Sequence, residues 1–154
     1  MTSDTFTDPH LARKTWLAVL ARASAKQLNN FVPEAHALPA QHWVRPAEIG
    51  MVMLRGRVGG TGNPFNLSEA SVVRCAVRLG NGPLGIAYVL GRDKQQAQLA
   101  ALLDAMLQNP LHHDALQAQL IQPLATAQAK ARAKKQSDVA GSKVEFFTFV
   151  RGEA

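Results

Sequence analysis

Apolar and polar positions change their period several times along the chain, and each change marks an element. Over residues 8–23, Leu11, Trp16, Val19 and Leu20 recur near helical spacing with Arg13, Lys14 and Arg22 on the other face. Asp8 can cap this helix and Pro9 suits its first turn. Ser24 can cap a second, short helix over residues 25–30. Pro33, Pro39 and Pro46 then interrupt the chain, so residues 31–47 read as a proline-rich connector with one helical turn around residues 34–38.

From Ala47 alternation replaces helical spacing, and residues 49–58 read as a first strand. Residues 69–79 give the clearest strand: Val73, Cys75, Val77 and Leu79 line one face, and Val72, Arg74, Ala76 and Arg78 the other. Asn81-Gly82 predicts a type I′ hairpin leading into a third strand over residues 83–90. Asp93 is placed to cap a helix over residues 94–108, with an apolar stripe of Leu99, Leu102, Leu103, Met106 and Leu107. Pro110 separates it from a helix over residues 113–122, where Pro123 acts as a stop or kink, and residues 124–138 continue as a polar, alanine-rich helix. Residues 143–150 alternate again and read as a late strand that joins the sheet. The expected fold is α+β: an antiparallel sheet of about four strands, with N-terminal and central to C-terminal helices packed on it.

Length adds that the 154 residues make one domain, spanning 1–154. Charged residues are 18% of the chain, below the roughly 25% of soluble domains, as expected where a partner covers part of the surface. The net charge of +6 favours anionic company. The one cysteine, Cys75, excludes an internal disulfide and a multi-thiolate metal site, which suits a reducing, cytoplasmic setting. No run approaches the ~20 apolar residues of a membrane span, so no membrane partner is expected.

Candidate chemistry centres on residues 55–67, which hold four of the eleven glycines. The stretch lacks the Gly-Lys-Ser/Thr ending of a phosphate loop, and a strand rather than a helix follows, which excludes the dinucleotide fingerprint. It reads as a structural or subunit-docking loop fixed by Gly59, Gly60 and Gly62 that presents Thr61, with an anion nest of backbone amides as the other reading. Arg55, Arg57, Arg74 and Arg78 strengthen the anion reading, since a guanidinium fork matches phosphate, and two arginines on one apolar strand face need anionic partners. His10, His36, His42, His112 and His113 show no metal-binding spacing, and Cys75 reads as a core residue. Eleven acids leave little material for paired-carboxylate chemistry. The basic stretch at residues 128–135 is a solvated face, a nucleic-acid contact or a docking surface for an acidic partner.

Three blocks in order, Arg57-Val-Gly-Gly-Thr-Gly-Asn-Pro-Phe-Asn-Leu67, Arg74-Cys-Ala-Val-Arg78 and Gly91-Arg-Asp-Lys94 leading into residues 97–108, resemble the PhnG family. That family supplies the G subunit of the bacterial carbon-phosphorus lyase core complex. Residues 13–23 resemble its opening helix and Val144-Glu-Phe-Phe-Thr-Phe-Val-Arg-Gly152 its closing strand, so the resemblance covers nearly the whole chain. Ser68 and Gln98 depart from the pattern.

The resemblance implies a subunit that works with the H, I and L subunits, chiefly I, to transfer the ribose triphosphate of ATP to a phosphonate with release of adenine. The J subunit, a radical S-adenosylmethionine enzyme, then cleaves the carbon-phosphorus bond. It further implies that this chain is non-catalytic or site-completing, binds no cofactor by itself, and meets ATP and phosphonate through the complex. Read with the arginine pattern, it makes Arg57, Gly59, Gly60, Thr61, Gly62, Arg74, Arg78, Arg92, Asp93 and Arg151 the substrate or interface candidates; no catalytic residue and no metal ligand is assigned. The alternatives are a basic nucleic-acid-binding module and, more weakly, a phosphate-ester enzyme built on the glycine loop.

Overall fold

The computed structural model describes residues 9–34 and 37–142. Two helices, α1 (Pro9–Leu20) and α2 (Ala25–Asn29), precede three strands, β1 (Gln41–Arg57), β2 (Pro64–Leu79) and β3 (Leu84–Leu90). Helix α3 (Lys94–Leu107) follows, then α4 (Pro110–Leu116), a π-helical turn at Gln117–Ile121 and α5 (Gln122–Gly141). The sheet is antiparallel in the order β1-β2-β3, giving the expected α+β class. The described residues hold three strands against the four expected, and the expected strand at 143–150 lies outside them. No described helix is long and apolar enough to cross a membrane.

The helix starts follow from local chemistry. Ser24 and Gln27 form a reciprocal capping box at α2, and the Asp93 carboxylate accepts from Gln96 N at 3.0 Å to cap α3. Asn109 caps α4, with Pro110 in its first turn, so this proline opens a helix rather than separating two. Of the stop or kink expected at Pro123, the stop does not occur: the helix runs on, and a π-helical turn just before the proline takes up its missing N–H and the crowding of the preceding turn.

Helix α3 is the centre of the molecule. Ala97 and every residue from Leu99 to Leu107 are buried, because the sheet covers one side and the other helices the remainder. Val73, Cys75 and Val77 of β2 and Ala87 and Val89 of β3 face it, while Trp16, Val19, Leu20 and Leu28 close the layer from α1 and α2. The strand and helix backbones approach so closely at Gly85 that a Cβ there would collide with the Ala101 carbonyl and stand 2.7 Å from Ala105 N.

Two further sequence expectations are corrected. Residues 41–47 are strand rather than connector, since Pro46 sits at an irregularity of an edge strand, where its missing N–H costs no ladder bond. The β2–β3 turn takes its positive φ at Gly80 (54°) rather than at Asn81-Gly82, and Gly82 N donates to Leu79 O at 2.9 Å. It is therefore not a type I′ turn.

Candidate functional site

Strands β1 and β2 pair along almost their whole length, but β3 pairs only with Val72–Arg78 of β2. The remainder, Met51–Arg57 against Pro64–Ser71, runs on as a two-stranded arm about 25 Å long at ~3.4 Å per residue. No residue from Met51 to Glu69 is buried. By strand alternation and register, Ile49, Met51 and Met53 continue the face that carries Val73 and Val77 in the core, and the register shift between Leu54 and Arg55 puts Phe65 and Leu67 with Gly56 on the other face. Ile49 pairs directly with Val73, yet it is 41% exposed against 0%. The core face of the sheet thus extends past the end of its helical layer, and on β1 it carries apolar side chains that none of the described residues covers. A two-stranded ribbon is marginal in water by itself, and contiguous exposed apolar surface marks an interaction site.

The glycine-rich stretch turns the chain at the tip of this arm. Gly59 and Gly60 adopt φ of 59° and 79°, and a Cβ at Gly62 would stand 2.8 Å from Val58 O. Arg57 Nη1 donates to Gly62 O at 3.2 Å, so Arg57 braces the loop, with Thr61 exposed beside it. Further down the arm, the Phe65 and Leu67 side chains lie over Gly56, filling the space its missing side chain leaves.

The remaining candidates do not gather into one pocket. Arg74 and Arg78 stand on the outer face of β2, and Arg74 lies ten residues beyond Pro64, about 30 Å from the tip at strand spacing. Arg74 already has a counter-ion, its Nε donating to Glu48 Oε1 at 2.9 Å across the β1–β2 pair, so its need for an anion is met within the chain. Arg78 is exposed and has no ion pair among the described residues. Arg92 and Asp93 occupy the β3–α3 junction, where Asp93 serves as the helix cap, and Arg151 lies outside the described residues.

The most connected polar group was not a sequence candidate. Asp104 is fully buried in α3 and accepts from Arg13 Nη2 at 2.7 Å, Trp16 Nε1 at 2.8 Å and Ile86 N at 2.9 Å. Arg13 Nη2 and Gln108 Nε2 also donate to Leu84 O, at 2.9 and 3.0 Å, so the network ties α1 and α3 to the edge of β3. An acid inside an otherwise apolar helical stripe is the signal that marks it. His113 joins the same wall, with Nδ1 2.7 Å from Leu107 O and its ring edge-on to Trp16. These contacts hold α1, α3 and the β3 edge together, with His113 of α4 beside them.

Cys75 donates to Ala97 O at 3.2 Å, and burial pushes its thiol up to about 11, which keeps it neutral and unreactive. No group of three or more His, Cys, Asp or Glu among the described residues is arranged to hold a metal ion. The chemistry this surface can perform is recognition: an apolar ribbon with two arginines near its tip and one acid, Glu69, opposite Met53.

Comparison with known proteins agrees with the sequence blocks. The family model described as "Phosphonate metabolism protein PhnG" matches residues 11–152. A relative from Rhizobium meliloti (strain 1021), "Alpha-D-ribose 1-methylphosphonate 5-triphosphate synthase subunit PhnG", is 41% identical over 141 residues, covering 92% of this chain and 90% of that protein.

Proposed function

The chain belongs to the PhnG family of phosphonate metabolism proteins, and from that premise we propose that it is the G subunit of a synthase complex that transfers the ribose triphosphate of ATP to a phosphonate and releases adenine. In this reading the chain carries no complete active site. Its partners are the H, I, J and L subunits, chiefly I, and it works with them in the cytoplasm.

The observation that carries the reading is the uncovered apolar arm. Met51, Met53, Leu54, Phe65 and Leu67 are each between 39% and 62% exposed on one continuous ribbon, a surface that water disfavours and a partner subunit would bury. The I subunit is the proposed occupant, extending the helical layer over the face that α3 leaves bare. Arg55 and Arg57 at the tip then meet acidic groups of that subunit or the phosphates of the ligand, with the glycine loop completing the site rather than forming it. Capture of highly charged substrate is the physical role of a cationic accessory chain. The alternative of a nucleic-acid-binding module gains nothing from the comparisons.

The test is co-expression of this chain, tagged, with the H, I, J and L chains of the same genome. The subunit reading expects stoichiometric co-purification with I, and adenine release from ATP plus methylphosphonate only when this chain and I are both present. Adenine release by this chain alone, or full activity of the other subunits without it, would contradict the reading.

A further inference from the structure

Helix α5 leaves the body of the molecule. Gln128 Nε2 donates to Val19 O at 3.0 Å, and from Ala129 to Gly141 every residue of the helix is exposed. Twenty residues of α-helix span about 30 Å, so more than half of α5 has nothing among the described residues to pack on.

This helix is alanine-rich without a continuous apolar stripe, and it carries like charges at close spacing, with Asp138 as the one acid among them. Lys130 and Lys134 are four residues apart, and Arg132 and Lys135 three apart, arrangements that destabilise a solvated helix. None of the four side chains has a hydrogen bond or ion pair among the described residues. Two of them converge with a cation of another element: Arg22, Arg132 and Lys135 rim a groove of about 630 Å³ between α1 and α5. Its floor is Val19, Ala125 and Ala129, and no acid lines it. The end of α1 does not account for these charges, because Gln128 and Arg22 already serve its Val19 and Ala18 carbonyls.

We infer that the α1–α5 groove is a second docking surface, and that its occupant is an acidic, amphipathic segment of a partner protein in the assembled complex. Charge complementarity selects the acids, and the alanine floor selects the rest. Small apolar side chains between cationic rims fit a polypeptide that presents carboxylates beside an apolar edge. A nucleic acid would leave that floor unused and would find no aromatic side chain in the groove to stack on. A second copy of this chain is disfavoured by its own +6 charge. The inference rests on the subunit reading but on a surface separate from the arm.

The test compares the wild-type chain with Arg132→Glu/Lys135→Glu, each co-expressed with the H, I, J and L chains. Both residues are exposed, so circular dichroism should show the variant folded. The inference expects at least about tenfold weaker association at low salt for the variant. It also expects zero-length carbodiimide cross-links from Lys135 to carboxylates of a partner chain in the wild-type complex. A variant that associates as tightly as wild type, cross-links to this chain's own acids, or co-purifying nucleic acid that the variant sheds while the complex persists would each overturn it. A wild-type chain that captures no partner overturns the subunit reading and this inference together, which separates the two failures.

Discussion

Arg13 and Asp104 lie 91 residues apart in the chain and meet at 2.7 Å, the arginine 28% exposed and the aspartate fully buried. This pair, with Trp16 and Ile86 on the same carboxylate, fixes α1 against α3 and seals one end of the β3 edge. Removing one member leaves the other partners buried without a charge to meet. Asp104→Ala should therefore cost about 3–5 kcal/mol of stability, read from urea unfolding. Replacing both members, Arg13→Met with Asp104→Leu, should be less costly than Asp104→Ala alone. If the double variant is the worse of the two, the network contributes through packing rather than charge pairing.

Gly85 should tolerate no side chain. Its Cβ would press on the backbone of α3 at Ala101 and Ala105, and backbone cannot swing aside as a flexible side chain can. Gly85→Ala should cost at least about 2 kcal/mol, or prevent folding altogether, in the same unfolding experiment. A variant within ~0.5 kcal/mol of wild type would mean that the β3–α3 contact is looser than described.

Cys75 should be silent toward thiol reagents. With its thiol pushed from 9.0 to about 11, the thiolate fraction near pH 8 falls by about a hundredfold before shielding by the core is counted. Labelling of the folded chain should thus be at least that much slower than labelling in denaturant. The same shift gives a sign for stability. Between about pH 9 and about 11 the native state holds a proton that the unfolded chain releases, so stability falls as pH rises through that window.

Local chemistry made much of this architecture legible. The Asp93 cap with its following stripe located α3, Ser24 located α2, and the alternation of Val73, Cys75 and Val77 identified the core face of β2. What sequence did not reveal depends on pairing at a distance. Phe65 and Leu67 alternate with polar neighbours as a strand should, yet the glycines before them made the stretch read as loop, and β2 reaches back to Pro64. Pro46 read as a break because its place in an edge strand depends on which strand pairs with which. Asp104 sat within an apolar stripe, and its partners come from α1 and β3, beyond the reach of any local window. Among the candidate residues, the arginines looked like one anion site, and the register spreads them along a single ribbon, with Glu48 already beside Arg74.

The central claim is that the arm exists to be covered by a partner subunit. The most direct measurement is binding of the I chain to Met51→Ser/Met53→Ser/Leu67→Ser, beside thermal unfolding of the same variant alone. These side chains are 50% to 62% exposed, so the account predicts a melting temperature within a few degrees of wild type, together with loss of stoichiometric co-purification and of adenine release from ATP and methylphosphonate. A variant that still co-purifies with I and supports full adenine release would contradict it.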